Sequence, residues 1–370
     1  MPIKVSVVIG TRPELIKMSP LLRRLEENPG VDFQFIDTGQ HYDYEMDSIF
    51  CDELNLPKPI FLNVGSDTPG KQTGRALIAV EAEILRYQPD LVMVVGDTNS
   101  TLSGALVAAK LNIPVAHIEA GLRSFDRTMP EEINRVIVDH ISRWLFVPTQ
   151  QASDNLVAEG IDREKVTFTY DIHVDVLNDN FKIADEKSQI LNELGVENFV
   201  LITCHRPGNT DSHENLANIT HALIELAQKT HVIFPVHPRT AKKLHEFELY
   251  ELLEKEPHIK LIKPVGFFDF LKLMGHADCV ITDSGGVQKE TLILKTPCVT
   301  IRENTEWVET LHLNANVLVG TDREKIVTEV QQRSLPAFRK FMQQLPNPYG
   351  SGETSQIILD TILADFDRIA

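Results

Sequence analysis

The sequence predicts two doubly wound α/β domains facing each other across a cleft. Three observations carry that fold class. Short apolar runs of strand length alternate with helical patterns along the chain, the β-α-β grammar of parallel sheets. Many of those runs end in glycine, histidine or a carboxylate, and ligands of open α/β sheets bind outside the carboxyl ends of the strands. At 370 residues the chain also exceeds the size that one core usually serves, so two domains are expected.

The elements follow in order. Ile3 to Ile9 reads as a buried strand that breaks at Gly10-Thr11-Arg12-Pro13, with Pro13 placed for the first turn of a helix through Leu15, Met18 and Leu22. Phe33 to Asp37 is a second strand leading into Thr38-Gly39-Gln40-His41. A helix through Met46, Ile49 and Phe50, a strand near Phe61, and a mobile loop from Gly65 to Gly74 are expected next. A helix through Ala76, Ile78, Val80, Ile84 and Leu85 returns to the central strand, Leu91 to Val95, which ends in Gly96-Asp97-Thr98. A small-residue helix from Thr101 to Lys110 leads to Ile113 to Ile118, closed by Glu119-Ala120-Gly121-Leu122-Arg123 and then Pro130-Glu131-Glu132-Ile133-Asn134-Arg135. Trp144 to Val147 and Val166 to Thr169 are further strands. The first domain is placed at 1–169, a second at 170–352, and a C-terminal helix at 353–370 that packs on either domain. In the second domain Phe199 to Thr203 ends in His205-Arg206, Val232 to Val236 in His237-Pro238-Arg239, and Cys279 to Thr282 in Asp283-Ser284-Gly285-Gly286. Ile259 to Ile262 leads to Phe267, and Cys298 to Ile301 leads to Glu306-Trp307.

Charge and cysteine usage narrow the partners. A formal net charge of −17 argues against nonspecific nucleic-acid binding and against anionic membranes, while leaving a local anion site open. No apolar run is long enough to span a bilayer and no signal peptide precedes the first strand, so a cytoplasmic protein is expected. Cys51, Cys204, Cys279 and Cys298 are widely spaced and lack a C-x-x-C pattern. They read as buried, reduced thiols, with neither a metal site nor a disulfide framework indicated.

The strand ends carry the chemistry. Asp97, Glu119 and Glu131 fall at successive strand ends and loops of one β-α-β stretch, so they converge on one place and suit acid/base work. A single carboxylate after a strand also serves as a helix cap, but one cap needs only one of the three. Arg12, Lys17, His205, Arg206, His237 and Arg239 crowd the corresponding loops with cations. Ser284-Gly285-Gly286 opens a helix, where closely approached backbone N–H groups and the helix dipole favour an anion such as a diphosphate. Neither G-x-G-x-x-G nor G-x-x-x-x-G-K-[ST] follows any strand, so the phosphate ligand is expected to be a substrate and not a dinucleotide or triphosphate.

Taken together, Gly10-Thr11-Arg12-Pro13-Glu14 with Ile16-Lys17-Met18, Thr38-Gly39-Gln40-His41, Gly96-Asp97-Thr98, Glu119 to Arg123, Pro130-Glu131-Glu132 with Asn134-Arg135, Asp283 to Gly286, and Asn347-Pro348-Tyr349-Gly350 resemble the non-hydrolysing UDP-N-acetylglucosamine 2-epimerases. The resemblance runs in order over essentially the whole chain. It implies a glycosyltransferase-B-like pair of Rossmann-like domains, a homodimer, and interconversion of UDP-GlcNAc and UDP-ManNAc without NAD or metal, feeding cell-surface polysaccharide synthesis.

By the same resemblance Asp97, Glu119, Glu131 and His205 are the catalytic set, with Arg135 beside them. Arg12, Lys17, His237, Phe267, Ser284, Gly285 and Gly286 would bind the UDP-sugar, and Glu290 would take ribose hydroxyls. Three stretches depart from the family pattern: Tyr170-Asp171 replaces the usual Gly-Asn, Gly208 replaces a Glu, and Thr305-Glu306-Trp307-Val308-Glu309 replaces Thr-Glu-Arg-Pro-Glu. The last, with Asp171 and the stretch Gly96 to Phe125, looks closer to the sister branch acting on UDP-2,3-diacetamido-2,3-dideoxyglucuronate, which is the alternative substrate, whereas Gly10 to Met18 looks like the GlcNAc branch. Tyr42-Asp43 stands where substrate-activated bacterial members carry Arg-Gln or Arg-Glu. A glycosyltransferase of the same architecture is the rival activity.

Overall fold

The fold was read from a computed structural model, which describes residues 2–40, 51, 54 and 56–369, with backbone alone for 367–369. His41, Tyr42-Asp43 and the helix expected through Met46, Ile49 and Phe50 lie outside the described residues. The chain divides into two compact units, 1–176 with 349–370, and 177–348.

In the first unit the elements are β1 (Ile3–Ile9), α1 (Arg12–Glu27), β2 (Val31–Asp37), β3 (Ile60–Phe61), α2 (Pro69–Tyr87), β4 (Leu91–Val95), α3 (Asn99–Lys110), β5 (Val115–Ile118), α4 (Pro130–Ile141), β6 (Trp144–Val147), α5 (Gln150–Ala158) and β7 (Val166–Phe168), with the start of α6 (Ile172–Lys187). The strands form one seven-stranded sheet in the order β3-β2-β1-β4-β5-β6-β7, every pairing parallel. The order reverses at β1 and β4, where Val5 pairs with Phe33 on one side and Leu91 on the other. Every residue of β4 is buried, as a strand covered on both faces by helices must be.

Local signals set the helix starts. Thr11 and Glu14 form a reciprocal capping box at α1 with Pro13 in its first turn. Gly10 before it has no alternative, because a Cβ there would lie 1.8 Å from Ser100 Oγ. The expected loop from Gly65 to Gly74 is corrected in part: Pro69 opens α2, so its second half is helix. Ala76, Val80 and Ile84 form the inner stripe of α2, whereas Ile78 and Leu85 point outward at 72% and 57% exposure.

The second unit continues α6 with α7 (Ile190–Leu194), β8 (Phe199–Thr203), α8 (Pro207–Thr210), α9 (His213–Ala227), β9 (His231–Pro235), α10 (Pro238–Glu246), α11 (Tyr250–Glu254) and β10 (Ile259–Ile262). Then come α12 (Phe267–His276), β11 (Cys279–Thr282), α13 (Gly285–Ile293), β12 (Cys298–Thr300), α14 (Val308–His312), β13 (Asn316–Leu318), α15 (Arg323–Arg333) and α16 (Pro336–Gln344). Its six strands are again parallel, in the order β10-β9-β8-β11-β12-β13.

The last helix, α17 (Thr354–Ile369), belongs to the first unit and packs on α1. Its opening N–H groups are received by buried Asp175 of α6, at 3.1 Å from Thr354 and 2.9 Å from Ser355, as helix starts require. Farther along, Trp144 donates its indole N–H to Asp365 at 2.9 Å and stacks on Phe366. Tyr170, standing where the family pattern has glycine, is left-handed at φ +64°. Its ring lies 4.5 Å, between centroids, from that of Phe168.

Candidate active site

The carboxyl ends of β4 and β5 in the first unit bring four of the expected residues into two pairs. Gly96 ends β4 at φ +71° and delivers Asp97, while Thr98, not Asp97, caps α3 by accepting from the Thr101 N–H. Asp97 is therefore released from helix capping. Arg135, on the second turn of α4, bonds the Asp97 carboxylate. Asn134 beside it donates to the Asp97 carbonyl at 2.9 Å.

Glu119 follows β5 in the left-handed region at φ +66°, a conformation that costs a non-glycine residue about 1–3 kcal/mol and recurs at functional sites. Its carboxylate takes the Lys17 ammonium at 2.7 Å. Burial alone would lower the Lys17 ammonium, but Glu119, Asp97 and Asp171 outweigh it and hold it above the ordinary lysine range. Lys17 is thus a cation among three carboxylates, a closer tie to the acid/base set than a purely nucleotide-binding role implies.

Glu131 lies exposed on the first turn of α4 with no partner among the described residues, one turn before Arg135 on the same helix face. Its neighbour Glu132 is buried and receives Ser124 N–H and Oγ, Phe125 N–H and the Arg135 guanidinium. Arg135 therefore bridges Asp97 to the carboxylate that fixes the β5–α4 loop.

Behind these groups lies a layer the sequence reading did not single out. Glu14 is buried, accepting from Gly10 and Thr11 N–H at 2.8 and 3.0 Å and from the Thr98 hydroxyl at 2.7 Å. It ties the loop that opens α1 to the loop that opens α3. Burial pushes its carboxyl above the ordinary glutamate range, against the pull of these donors. The spacing Thr11-x-x-Glu14 was the available signal, since it is a capping-box pattern. His117 and Asp139 are also fully buried, 2.7 Å apart, and only the break that a histidine makes in an apolar strand run hinted at them.

In the second unit the expected residues gather around the ends of β8, β9, β10 and β11. Asp283, buried after β11, accepts the backbone N–H groups of His205 and Arg206 and the side-chain amide of Asn209. It shapes the His205 loop. The His205 and His237 rings stand 6.2 Å apart, tilted. Neither is a core histidine: His205 and His237 both line a cavity of about 230 Å³ with Thr203, Pro235, Pro264, Val265, Phe270, Ser284 and Val287. His237 also caps α10, its Nδ1 accepting the Arg239 N–H at 3.2 Å. The aromatic wall of the cavity is Phe270, and Phe267 opens α12 with its ring 5.6 Å from Phe268.

Ser284 precedes α13 without using its hydroxyl as a cap, so Gly285 and Gly286 present the helix start. A Cβ on Gly286 would sit 3.8 Å from the Glu290 carboxylate, which places Glu290 at this helix start. Arg12 occupies the start of α1 in the first unit.

Residues 23–363 match the family model described as UDP-N-acetylglucosamine 2-epimerase. The chain is 46% identical over 363 residues to the UDP-N-acetylglucosamine 2-epimerase of Methanocaldococcus jannaschii, covering 96% of this chain and 98% of that one. It is 40% identical over 361 residues to a UDP-2,3-diacetamido-2,3-dideoxy-D-glucuronate 2-epimerase of Pseudomonas aeruginosa, covering 96% and 98%. The solved Methanocaldococcus jannaschii UDP-GlcNAc 2-epimerase superposes with a TM-score of 0.91 at 45% identity, over 98% of this chain and 100% of that one. The Neisseria meningitidis UDP-GlcNAc 2-epimerase bound to UDP-GlcNAc does so with 0.86 at 31%, over 98% and 100%. The two parallel sheets with interleaved helices are thus the glycosyltransferase-B-like fold of these enzymes, and the chain belongs to the UDP-N-acetylglucosamine 2-epimerase family.

Proposed function

We propose that the chain interconverts UDP-N-acetylglucosamine and UDP-N-acetylmannosamine by eliminating UDP and adding it back. The reading is carried by Asp97 and Glu119, carboxylates at adjoining strand ends, each held against its own cation, Arg135 and Lys17. One carboxylate takes the C2 proton; the C2–H electron pair becomes the C1–C2 double bond, and the C1–O bond breaks with its electrons onto UDP. The 2-acetamidoglucal then takes a proton on the other face of C2 while a diphosphate oxygen bonds C1. Two faces require two proton-handling groups, and Asp97, Glu119, Glu131 and His205 are the proposed set.

UDP would be held meanwhile by the α13 start at Ser284, Gly285 and Gly286, by His237, and by Arg12 and Lys17. Glu290 would take the ribose hydroxyls, and the wall of Pro264, Val265 and Phe270 suits an apolar ring face, with Phe267 a further proposed binding residue. The proposal extends to a homodimer acting in the cytoplasm and supplying cell-surface polysaccharide synthesis.

Incubating the protein with UDP-GlcNAc in deuterium oxide tests this reading. Epimerisation places solvent deuterium at C2 of both sugars, whereas a glycosyltransferase leaves C2 protiated; absence of exchange would refute it. A second reading, the diacetamido-uronate as substrate, is favoured by Trp307 within Thr305 to Glu309 and by the 40% identical Pseudomonas aeruginosa relative. Offering both sugars at equal concentration and comparing kcat/KM decides between them; a preference for UDP-GlcNAc is expected.

A further inference from the structure

His117 occupies a position in β5 where an aliphatic side chain would make a simpler core. Its ring is fully buried, with Nε2 2.8 Å from the Gly96 carbonyl and Nδ1 2.7 Å from Asp139. A carbonyl only accepts, so Nε2 carries a proton and donates it to Gly96. The second Asp139 oxygen receives the Gly121 N–H at 3.2 Å and the Arg123 guanidinium at 2.7 Å, and Arg123 continues to Glu159 at 2.7 Å. Burial alone would raise the Asp139 carboxyl, but His117 and Arg123 outweigh it and hold it below the ordinary aspartate range.

Removing such groups from water is expensive, and a buried ion pair is weak evidence for stability as such. What the chain gains is geometric. Gly96, held by the ring, immediately precedes Asp97; Gly121, held by Asp139, follows Glu119 by two residues. All three of Gly96, Glu119 and Gly121 have positive φ, and a Cβ on Gly121 would come within 2.3 Å of the Ala152 carbonyl. Two left-handed turns are thus fixed from behind by one ring and one carboxylate.

We propose that His117 and Asp139 form a positioning dyad that sets the two acid/base strand ends against each other, a proposal that rests on the roles given above to Asp97 and Glu119. The dyad touches no reacting atom. It holds Asp97 through Gly96 and Glu119 through Gly121.

The test uses the full chain and three variants. His117→Asn keeps a donor toward Asp139 and loses Gly96, and His117→Phe fills the volume while losing both bonds. Asp139→Asn can offer its N–H to Nδ1 of a neutral His117 and its oxygen to Gly121 and Arg123, so it preserves the geometry. Both His117 variants are expected to lose roughly 100-fold in kcat, the scale of a ~1 Å misplacement, with KM and UDP affinity within about threefold. Asp139→Asn should stay within about tenfold of wild type. Amide exchange read peptide by peptide should rise in segment 94–100 of both His117 variants, and also in segment 118–124 of His117→Phe, and stay unchanged elsewhere. Folded His117 variants turning over within threefold of wild type would overturn the proposal. So would collapse of kcat, UDP affinity and exchange protection throughout the chain, which marks a structural role only. Wild type lacking C2 exchange would refute the acid/base reading instead, and the local exchange pattern would still decide whether the dyad holds both turns.

Discussion

At the scale of single residues, the arrangement turns on carboxylates whose neighbours differ. Glu119 faces a half-buried ammonium at 2.7 Å, and its backbone is strained to aim it there. Replacing it by Gln keeps the shape and removes the proton-accepting charge. Glu119→Gln is expected to lower kcat by about 10²–10⁴-fold, the range for a lost acid/base group, with UDP affinity nearly unchanged. Lys17 then keeps Asp97 and Asp171 as counter-charges, so the thermal midpoint should move little. Full activity of Glu119→Gln would remove it from the chemistry. Glu14 stands apart from this set because its oxygens are occupied by loop donors. Its work is to keep the α1 start, with Arg12, registered on the Asp97 loop.

At the scale of elements, the β5–α4 connection is held by one buried carboxylate. Burial alone would raise the Glu132 carboxyl, but Ser124, Arg135 and Phe125 outweigh it and bring it down to about 2. The sign follows from linkage: the native value lies below an unfolded glutamate near 4.3, so the unfolded chain binds protons first as pH falls. Glu132 therefore stabilises fully above about pH 5, and its contribution is lost as pH falls toward about 2. Urea unfolding of wild type and Glu132→Gln should show a gap in midpoint at pH 7 that narrows at pH 3.5; a constant gap would contradict the assignment. The sequence made the strand ends legible, since Leu91 to Val95 and Phe199 to Thr203 are uninterrupted apolar runs closed by polar residues. It also marked Asp97 and Glu119 as the residues that follow β4 and β5. It named Glu131 and gave the structural role of Glu132 no signal, because one residue along a helix turns the side chain by about 100° and only the Ser124 loop decides which faces inward. His117 and Asp139 are 22 positions apart and meet through the fold alone. The helical half of the Gly65–Gly74 stretch was hidden because its two glycines and Pro69 read as breakers, although proline is favoured in a helix's first turn.

At the scale of the whole molecule, the first unit's helix layer carries an unused apolar surface. Helices α2, α3 and α4 lie side by side. The small residues of α3 are mostly buried between their neighbours. Ile78 and Leu85 on α2 and Ile133 and Ile137 on α4 remain exposed, at 72%, 57%, 44% and 38%. Ile133 and Ile137 are four apart, so they share one helix face, away from buried Glu132 and Asn134. We propose that these side chains meet a second copy of the same chain, paired through a two-fold axis. Each large aliphatic side chain buried there contributes about 1.5–3 kcal/mol, and an isologous contact counts every residue twice. Ile133→Asp with Ile137→Asp places four carboxylates in that contact. Sedimentation equilibrium is expected to find a dimer for wild type and a monomer for the double variant at micromolar concentration, a loss of at least about 100-fold in association. Far-UV circular dichroism should be unchanged, because neither side chain belongs to the buried core of its own unit. An unaltered dimer in the double variant would move the contact off this face, and a monomeric wild type would remove the homodimer from the proposal.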